Sequence, residues 1–143
     1  YPVDGRFTNR QREIYNIVLG AQEAALKQLR PGIRLGENGP IHQAAYQYIN
    51  NHGSDNHGQR LGQYFIHGVS HHIGLEVHDL ISQSSPLLEP GMVITIEPGI
   101  YIPQENLGIR IEDEVLITEN GFQLISSALP RSAAAIEQLM VEK

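Results

Sequence analysis

Four of the seven histidines fall in one short run, His67-Gly-Val-Ser-His71-His72-Ile-Gly-Leu-Glu-Val-His78-Asp79. A neutral imidazole binds a metal through one ring nitrogen while the other needs a hydrogen-bonding partner. His67 and His71 would share a face in a helix. Gly68, Val69, Gly74 and Val77 disfavour a regular helix, so the run is expected to be irregular or extended. Taken alone, it fits a structural or surface cluster as well as a ligand set, and His72 fits a structural role in either case.

Two carboxylate positions could complete such a site. Glu97 closes the run Met92-Val-Ile-Thr-Ile-Glu97, just before Pro98-Gly99. A carboxylate at the end of a buried strand costs several kcal/mol unless it is paired, protonated or bound to a cation. Strand ends are also often solvated, and Glu97 by itself would fit that equally. In Ile109-Arg110-Ile-Glu112-Asp-Glu114-Val115, alternation puts Arg110, Glu112 and Glu114 on one face. That face suits a metal-bridging carboxylate held by an arginine, or an exposed edge whose charges discourage aggregation. Together, the three segments offer one imidazole and two carboxylates. Nitrogen–oxygen sets of this kind suit manganese, zinc, cobalt or iron and exclude copper(I). With carboxylates in the majority, a two-metal hydrolytic centre is the chemistry they fit.

The elements that must position these residues are legible in outline. Thr8-Asn-Arg-Gln11 has capping-box spacing. Ile14, Val18, Ala21, Ala25 and Leu29 then recur at helical intervals until Arg30-Pro31-Gly32 stops the helix. A second helix is predicted over Ile41 to Asn51, ending at His52-Gly53, and a polar loop over Gly53 to Gly62. The second half turns to strands: residues 92–97, 109–118 and 121–126, followed by a terminal helix over 131–141. Helices first and strands later predict an α+β fold.

Composition narrows the function classes. The chain has 143 residues, enough for one domain with a core. The absence of cysteine excludes disulfides, thiolate zinc sites and a cysteine nucleophile, and fits a reducing, cytoplasmic setting. A net charge of −6 with no basic run argues against nucleic acid as a partner. No apolar stretch approaches the ~20 residues that span a bilayer, so no membrane partner is expected. Tyr1-Pro-Val-Asp-Gly-Arg6 reads as a turn entered in mid-chain and not as a signal peptide, so the chain is expected to be a fragment.

Three blocks in order resemble the signatures of the pita-bread metallopeptidases, specifically aminopeptidase P and prolidase. They are the His67–Asp79 run, Thr95-Ile-Glu97-Pro-Gly-Ile-Tyr101 and Gly108-Ile-Arg110-Ile-Glu112-Asp-Glu114. Pro2-Val-Asp-Gly-Arg-Phe7 and Gln11-Arg-Glu-Ile-Tyr15 resemble the stretch that follows the family's first metal motif. The resemblance covers nearly the whole chain. Methionine aminopeptidases, whose histidine block reads differently, fit less well.

That resemblance implies a partial pita-bread fold, a curved antiparallel sheet with flanking helices. It implies that residues 1–143 are the C-terminal portion of the catalytic domain, whose N-terminal part is absent. The family's ligands are two aspartates, one histidine and two glutamates around two divalent ions: manganese first, zinc or cobalt as alternatives. By resemblance, His71, Glu97 and Glu112 take the histidine and glutamate places. On the same basis His67 and His78 line the substrate pocket, and Arg110 supports the metal-bound carboxylates. Neither Asp4 nor Asp55 stands in the aspartate context, so the chain alone is expected to be inactive and to bind metal weakly. The activity implied for the parent protein, an expected homo-oligomer, is hydrolysis of the bond before proline in peptides with proline second. Alternatives are an Xaa-Pro dipeptidase, a metal-free pita-bread module that binds peptides or proteins, and a creatinase-like hydrolase.

Overall fold

Helix α1 (Asn9–Leu26) begins at the expected capping box. The Thr8 hydroxyl accepts from the Gln11 N–H at 3.2 Å, and the Gln11 side-chain oxygen accepts from the Thr8 N–H at 2.9 Å. Ile14, Val18, Ala21 and Ala25 are fully buried along one stripe. The helix proper ends at Leu26, earlier than the sequence predicts. Its last turn tightens, with Gln28 and Leu29 donating to Ala25 and Leu26, so Leu29 stays buried beyond the helix end. Helix α2 (Pro40–Asn51) has proline in its first turn, where the missing N–H costs nothing. It buries Ile41, Ala45 and Ile49 and packs on α1.

The structure is a computed structural model that describes residues 1–79 and 87–141. Its second half comprises β1 (Val93–Ile96), β2 (Gly99–Ile102), β3 (Leu107–Arg110), β4 (Asp113–Thr118), β5 (Gly121–Leu124) and α3 (Ala133–Val141). β4 is central between β1 and β5, while β2 and β3 form a second antiparallel pair. Expected strands and the terminal helix are therefore present, with two corrections. Gly99–Ile102, for which the sequence predicts no strand, is one. The predicted strand over 109–118 is two strands in two ladders, interrupted at Ile111–Glu112.

One physical cause accounts for both corrections. Pro98 has no N–H to give to a ladder, so regular pairing lapses around it and resumes beyond it. The register is kept across the gap: Ile96 pairs with Asp113 before it, and Gly99 with Arg110 after it. Glu97 therefore faces Glu112 within the interruption. Alternation also survives it, because Ile111, Asp113 and Val115 are buried while Arg110, Glu112 and Glu114 are exposed. Helix α1 packs on β1, β2 and β3.

Candidate metal centre

The histidine run is irregular, as its glycines suggest: residues 69–73 lie extended along the β1 edge not used by β4, and residues 74–78 bend away. Glu97 N–H donates to the Val69 carbonyl at 2.8 Å, Thr95 N–H to His71 at 2.9 Å, and Ile73 N–H to Val93 at 3.3 Å. The His71 N–H in turn donates to the Thr95 hydroxyl at 3.1 Å. This extended segment fixes His71 beside the end of β1, next to Glu97.

His71 Nδ1 lies 3.0 Å from the His72 carbonyl. A carbonyl only accepts, so Nδ1 carries the proton and the Nε2 lone pair is left for a ligand. Nε2 is 3.2 Å from Glu97 Oε1 and 3.8 Å from Glu112 Oε1. Ligand atoms of all three residues lie within 4.8 Å of one another. One neutral imidazole and two carboxylates converging on one point fit a divalent cation of the manganese, zinc or cobalt type. The residue Glu97 is buried, whereas Glu112 is exposed.

Arg110 stands on the carboxylate side, with Nε 3.7 Å from Glu97 Oε2 and Nη2 3.4 Å from Glu112 Oε2. Its side chain is half exposed. These contacts are long for hydrogen bonds, so they act through charge. Each glutamate thus presents one oxygen to His71 and the other to Arg110.

His78 meets His71 edge-on, with ring centroids 4.4 Å apart. It sits on a loop closed at its base by the Asp79 N–H donating to the His72 carbonyl at 3.1 Å. Burial lowers the pKa of His72 and outweighs the Asp79 carboxylate that raises it. His67 lies farther along the same segment. Its Nδ1–H donates to the Gly68 carbonyl at 2.8 Å, which leaves Nε2 to accept from the Tyr101 hydroxyl at 3.0 Å. The structure thus brings His71 and His78 together with Glu97, Glu112 and Arg110, while the contacts of His67 run to Gly68 and Tyr101.

Two further participants were not singled out from the sequence. Tyr101 on β2 holds His67, and Thr95 links the His71 backbone to Glu97, its hydroxyl 3.3 Å from Glu97 Oε1. Period-two alternation from Glu97 through Gly99 to Tyr101 was the available signal, hidden by reading Pro98-Gly99 as the end of the strand. Asp55 belongs to a different structure. It accepts from the Tyr64 hydroxyl at 2.6 Å and from the His57 and Gln59 N–H groups, which hold its carboxyl below the usual carboxylate range.

Residues 1–119 match metallopeptidase family M24. The chain belongs to that family. The M24 chain is 38% identical to an Xaa-Pro aminopeptidase of Haemophilus influenzae over 159 aligned positions, covering 98% of the chain and 37% of the relative. It is 48% identical to an Xaa-Pro dipeptidase of Pyrococcus furiosus over 122 positions, covering 83% of the chain and 32% of the relative. Among solved structures, zinc-substituted aminopeptidase P of Escherichia coli in complex with product superposes with a TM-score of 0.82 at 36% identity. That superposition covers 99% of this chain and 37% of the other. The M24 chain thus has a partial pita-bread fold and spans about a third of the length of these relatives. Membership in M24 implies divalent metal ions, and the His71–Glu97–Glu112 cluster is where this chain can hold one.

Proposed function

We propose that this chain carries the histidine–glutamate side of a two-metal centre in a protein that hydrolyses the peptide bond before proline, as an Xaa-Pro aminopeptidase. The observation that carries the reading is the His71 Nε2 lone pair facing Glu97 at 3.2 Å and Glu112 at 3.8 Å. The substrate is a peptide with proline second, whose tertiary amide has no N–H for ordinary peptidases to grip. The relatives named Xaa-Pro aminopeptidase and Xaa-Pro dipeptidase support that substrate class. Manganese is the first metal proposed, with zinc or cobalt next. The parent protein is proposed to be a cytoplasmic homo-oligomer. Among the described residues no helix is long and apolar enough to cross a membrane.

Bound divalent ions would supply Lewis-acid polarisation of the scissile carbonyl and acidify the attacking water. The chain's own residues do the rest. His71, Glu97 and Glu112 would hold a metal ion, and Glu97 or another carboxylate would accept the proton of the attacking water on its way to the proline nitrogen. Arg110 orients both carboxylates through its charge. His78, at the rim beside His71, faces the substrate. His67, held between the Gly68 carbonyl and the Tyr101 hydroxyl, lines the substrate pocket, where it would contact the residue next to the scissile bond or steady the tetrahedral intermediate.

The two family aspartates are not in their expected context in these residues, so the 143-residue chain alone is proposed to be inactive and a weak metal binder. Tight stoichiometric manganese binding or peptidase turnover by the purified chain would refute that. The test of the main reading is a manganese titration and Xaa-Pro peptide assay on the full-length protein and its Glu112→Ala variant. The variant is expected to lose tight binding and turnover; unchanged affinity and activity would remove Glu112 from the site. The 48% identity to a dipeptidase supports a second reading, in which only Xaa-Pro dipeptides are cleaved. Comparing a dipeptide with a longer Xaa-Pro peptide as substrates separates the two.

A further inference from the structure

Gln22 is fully buried in the C-terminal half of α1, a helix that packs on β1, β2 and β3. Its side-chain amide donates to two main-chain carbonyls, Ile96 at 3.0 Å and Ile111 at 3.2 Å. Those residues directly precede Glu97 and Glu112. On its other side, Arg131 Nη2 donates to Gln22 Oε1 at 2.7 Å. Carbonyls only accept and a guanidinium only donates, so the amide can take just this orientation. Arg131 is also ion-paired at 2.8 Å to the buried Asp113, which follows Glu112.

The ladder explains why a side-chain donor is needed here. A hydrogen-bonded pair in an antiparallel ladder exchanges two bonds, each residue giving its N–H to the other's carbonyl. Ile111 N–H donates to the Pro98 carbonyl at 3.4 Å. The return bond to the Ile111 carbonyl would need an N–H on Pro98, and proline has none. The Gln22 amide sits at that carbonyl instead. By bonding Ile96 as well, it ties both sides of the interruption to one rigid helix.

We propose that Gln22 is a positioning residue of the metal centre: its amide replaces the ladder bond that Pro98 cannot make and so sets Glu97 against Glu112. This rests on the metal-centre reading of His71, Glu97 and Glu112. Side chains that orient ligands in this way commonly change metal affinity by about 10- to 100-fold when removed.

The experiment is a calorimetric titration of Mn²⁺, with Co²⁺ absorption spectra, on the full-length protein and three variants: Gln22→Met, Gln22→Met with Pro98→Ala, and Glu112→Ala. Methionine matches glutamine in length and removes only its polarity. Gln22→Met is expected to keep the far-ultraviolet circular dichroism of the metal-free protein, to bind Mn²⁺ about 10- to 100-fold more weakly and to alter the Co²⁺ spectrum. Adding Pro98→Ala restores a main-chain N–H and is expected to recover affinity and spectrum in part. Wild-type affinity and spectrum in Gln22→Met would overturn the proposal, as would failure of Pro98→Ala to recover what Gln22→Met loses. If Gln22→Met does not fold, the double variant decides in the same way: a recovered fold that binds Mn²⁺ supports the role, and an unrecovered one overturns it. Glu112→Ala separates the two levels. Its loss of affinity beside an unaffected Gln22→Met removes only the role of Gln22, whereas wild-type affinity in Glu112→Ala removes the metal centre and this role with it.

Discussion

Glu97 stands opposite Glu112 where the ladder lapses, between the Ile96–Asp113 and Gly99–Arg110 pairs. Like charges directly opposed in a sheet are destabilising by about 0.2–1 kcal/mol. Here they are held within reach of a single imidazole. Arg110, within 3.4 to 3.7 Å of both carboxylates, offsets part of that repulsion, and a bound cation would offset the rest.

Glu97→Gln should therefore act in opposite directions with and without metal. In chelator, the variant is expected to be more stable than wild type by about 0.5 kcal/mol, since one of two opposed charges is gone. With manganese the order reverses, because ligand binding to the native state stabilises it by mass action and the variant binds less. Urea unfolding of the full-length protein under both conditions measures this. A metal-free variant less stable than wild type would show that the opposed carboxylates are not in conflict.

Arg110→Met should separate function from stability. The guanidinium is half exposed and its charge contacts run from 3.4 to 3.7 Å, so its contribution to folding is at most about 1 kcal/mol. Turnover of an Xaa-Pro peptide is expected to fall by at least about tenfold, as for residues that orient ligands. Arg110→Lys should recover part of it, because lysine keeps the charge through which these contacts act. Melting temperature and kcat/KM, measured side by side, check the split.

Gly99→Ala probes the His67–Tyr101 pair. A Cβ at residue 99 would come within 2.8 Å of the Tyr101 hydroxyl and 2.9 Å of His67 Nε2. The tyrosine ring tip can swing away, so the fold should persist with a loss of about 1 kcal/mol. The hydrogen bond between the two residues should break, shifting the His67 ring resonances and lowering activity. Unchanged His67 resonances would mean that the pair accommodates the methyl group.

Tyr15 sets an alkaline limit. Burial, as the largest cause, pushes its phenol up to about 12, and the hydroxyl donates to the Arg131 carbonyl at 2.6 Å. Between the ordinary pKa of ~10 and about 12, the unfolded chain loses this proton while the native one keeps it. The native state then binds more protons, so stability falls as pH rises through that window and is unaffected by this group below it. Tyr15→Phe should flatten this part of the curve when unfolding free energy is followed from pH 9 to 12. A slope equal to wild type would assign the alkaline loss to other groups.

The candidate metal-site residues were legible as three family-like blocks in order, because ligand chemistry restricts residue type. The His71, Glu97 and Glu112 blocks could be picked out in order, and period-two burial was readable through Arg110, Glu112 and Glu114. The α1 capping box and apolar stripe were equally plain, since they depend on neighbours within a turn or two. The boundary of α1 and the division of residues 109–118 were not, because both depend on partners distant in the chain.

The sequence by itself determined the helix capped by Thr8, the alternation of the strands and the family, and through the family resemblance it offered the candidate donors. Tertiary structure alone decided that Glu97 faces Glu112, that His71 offers Nε2 and not Nδ1, and that Gln22 lies behind both glutamates. The first and the last depend on a register or on hydrogen bonds between segments distant in the chain, whereas the ring nitrogen that His71 offers follows from its contact with the neighbouring His72 carbonyl once the backbone is placed. Local propensity and spacing carry no information about which distant carbonyl a given N–H will meet.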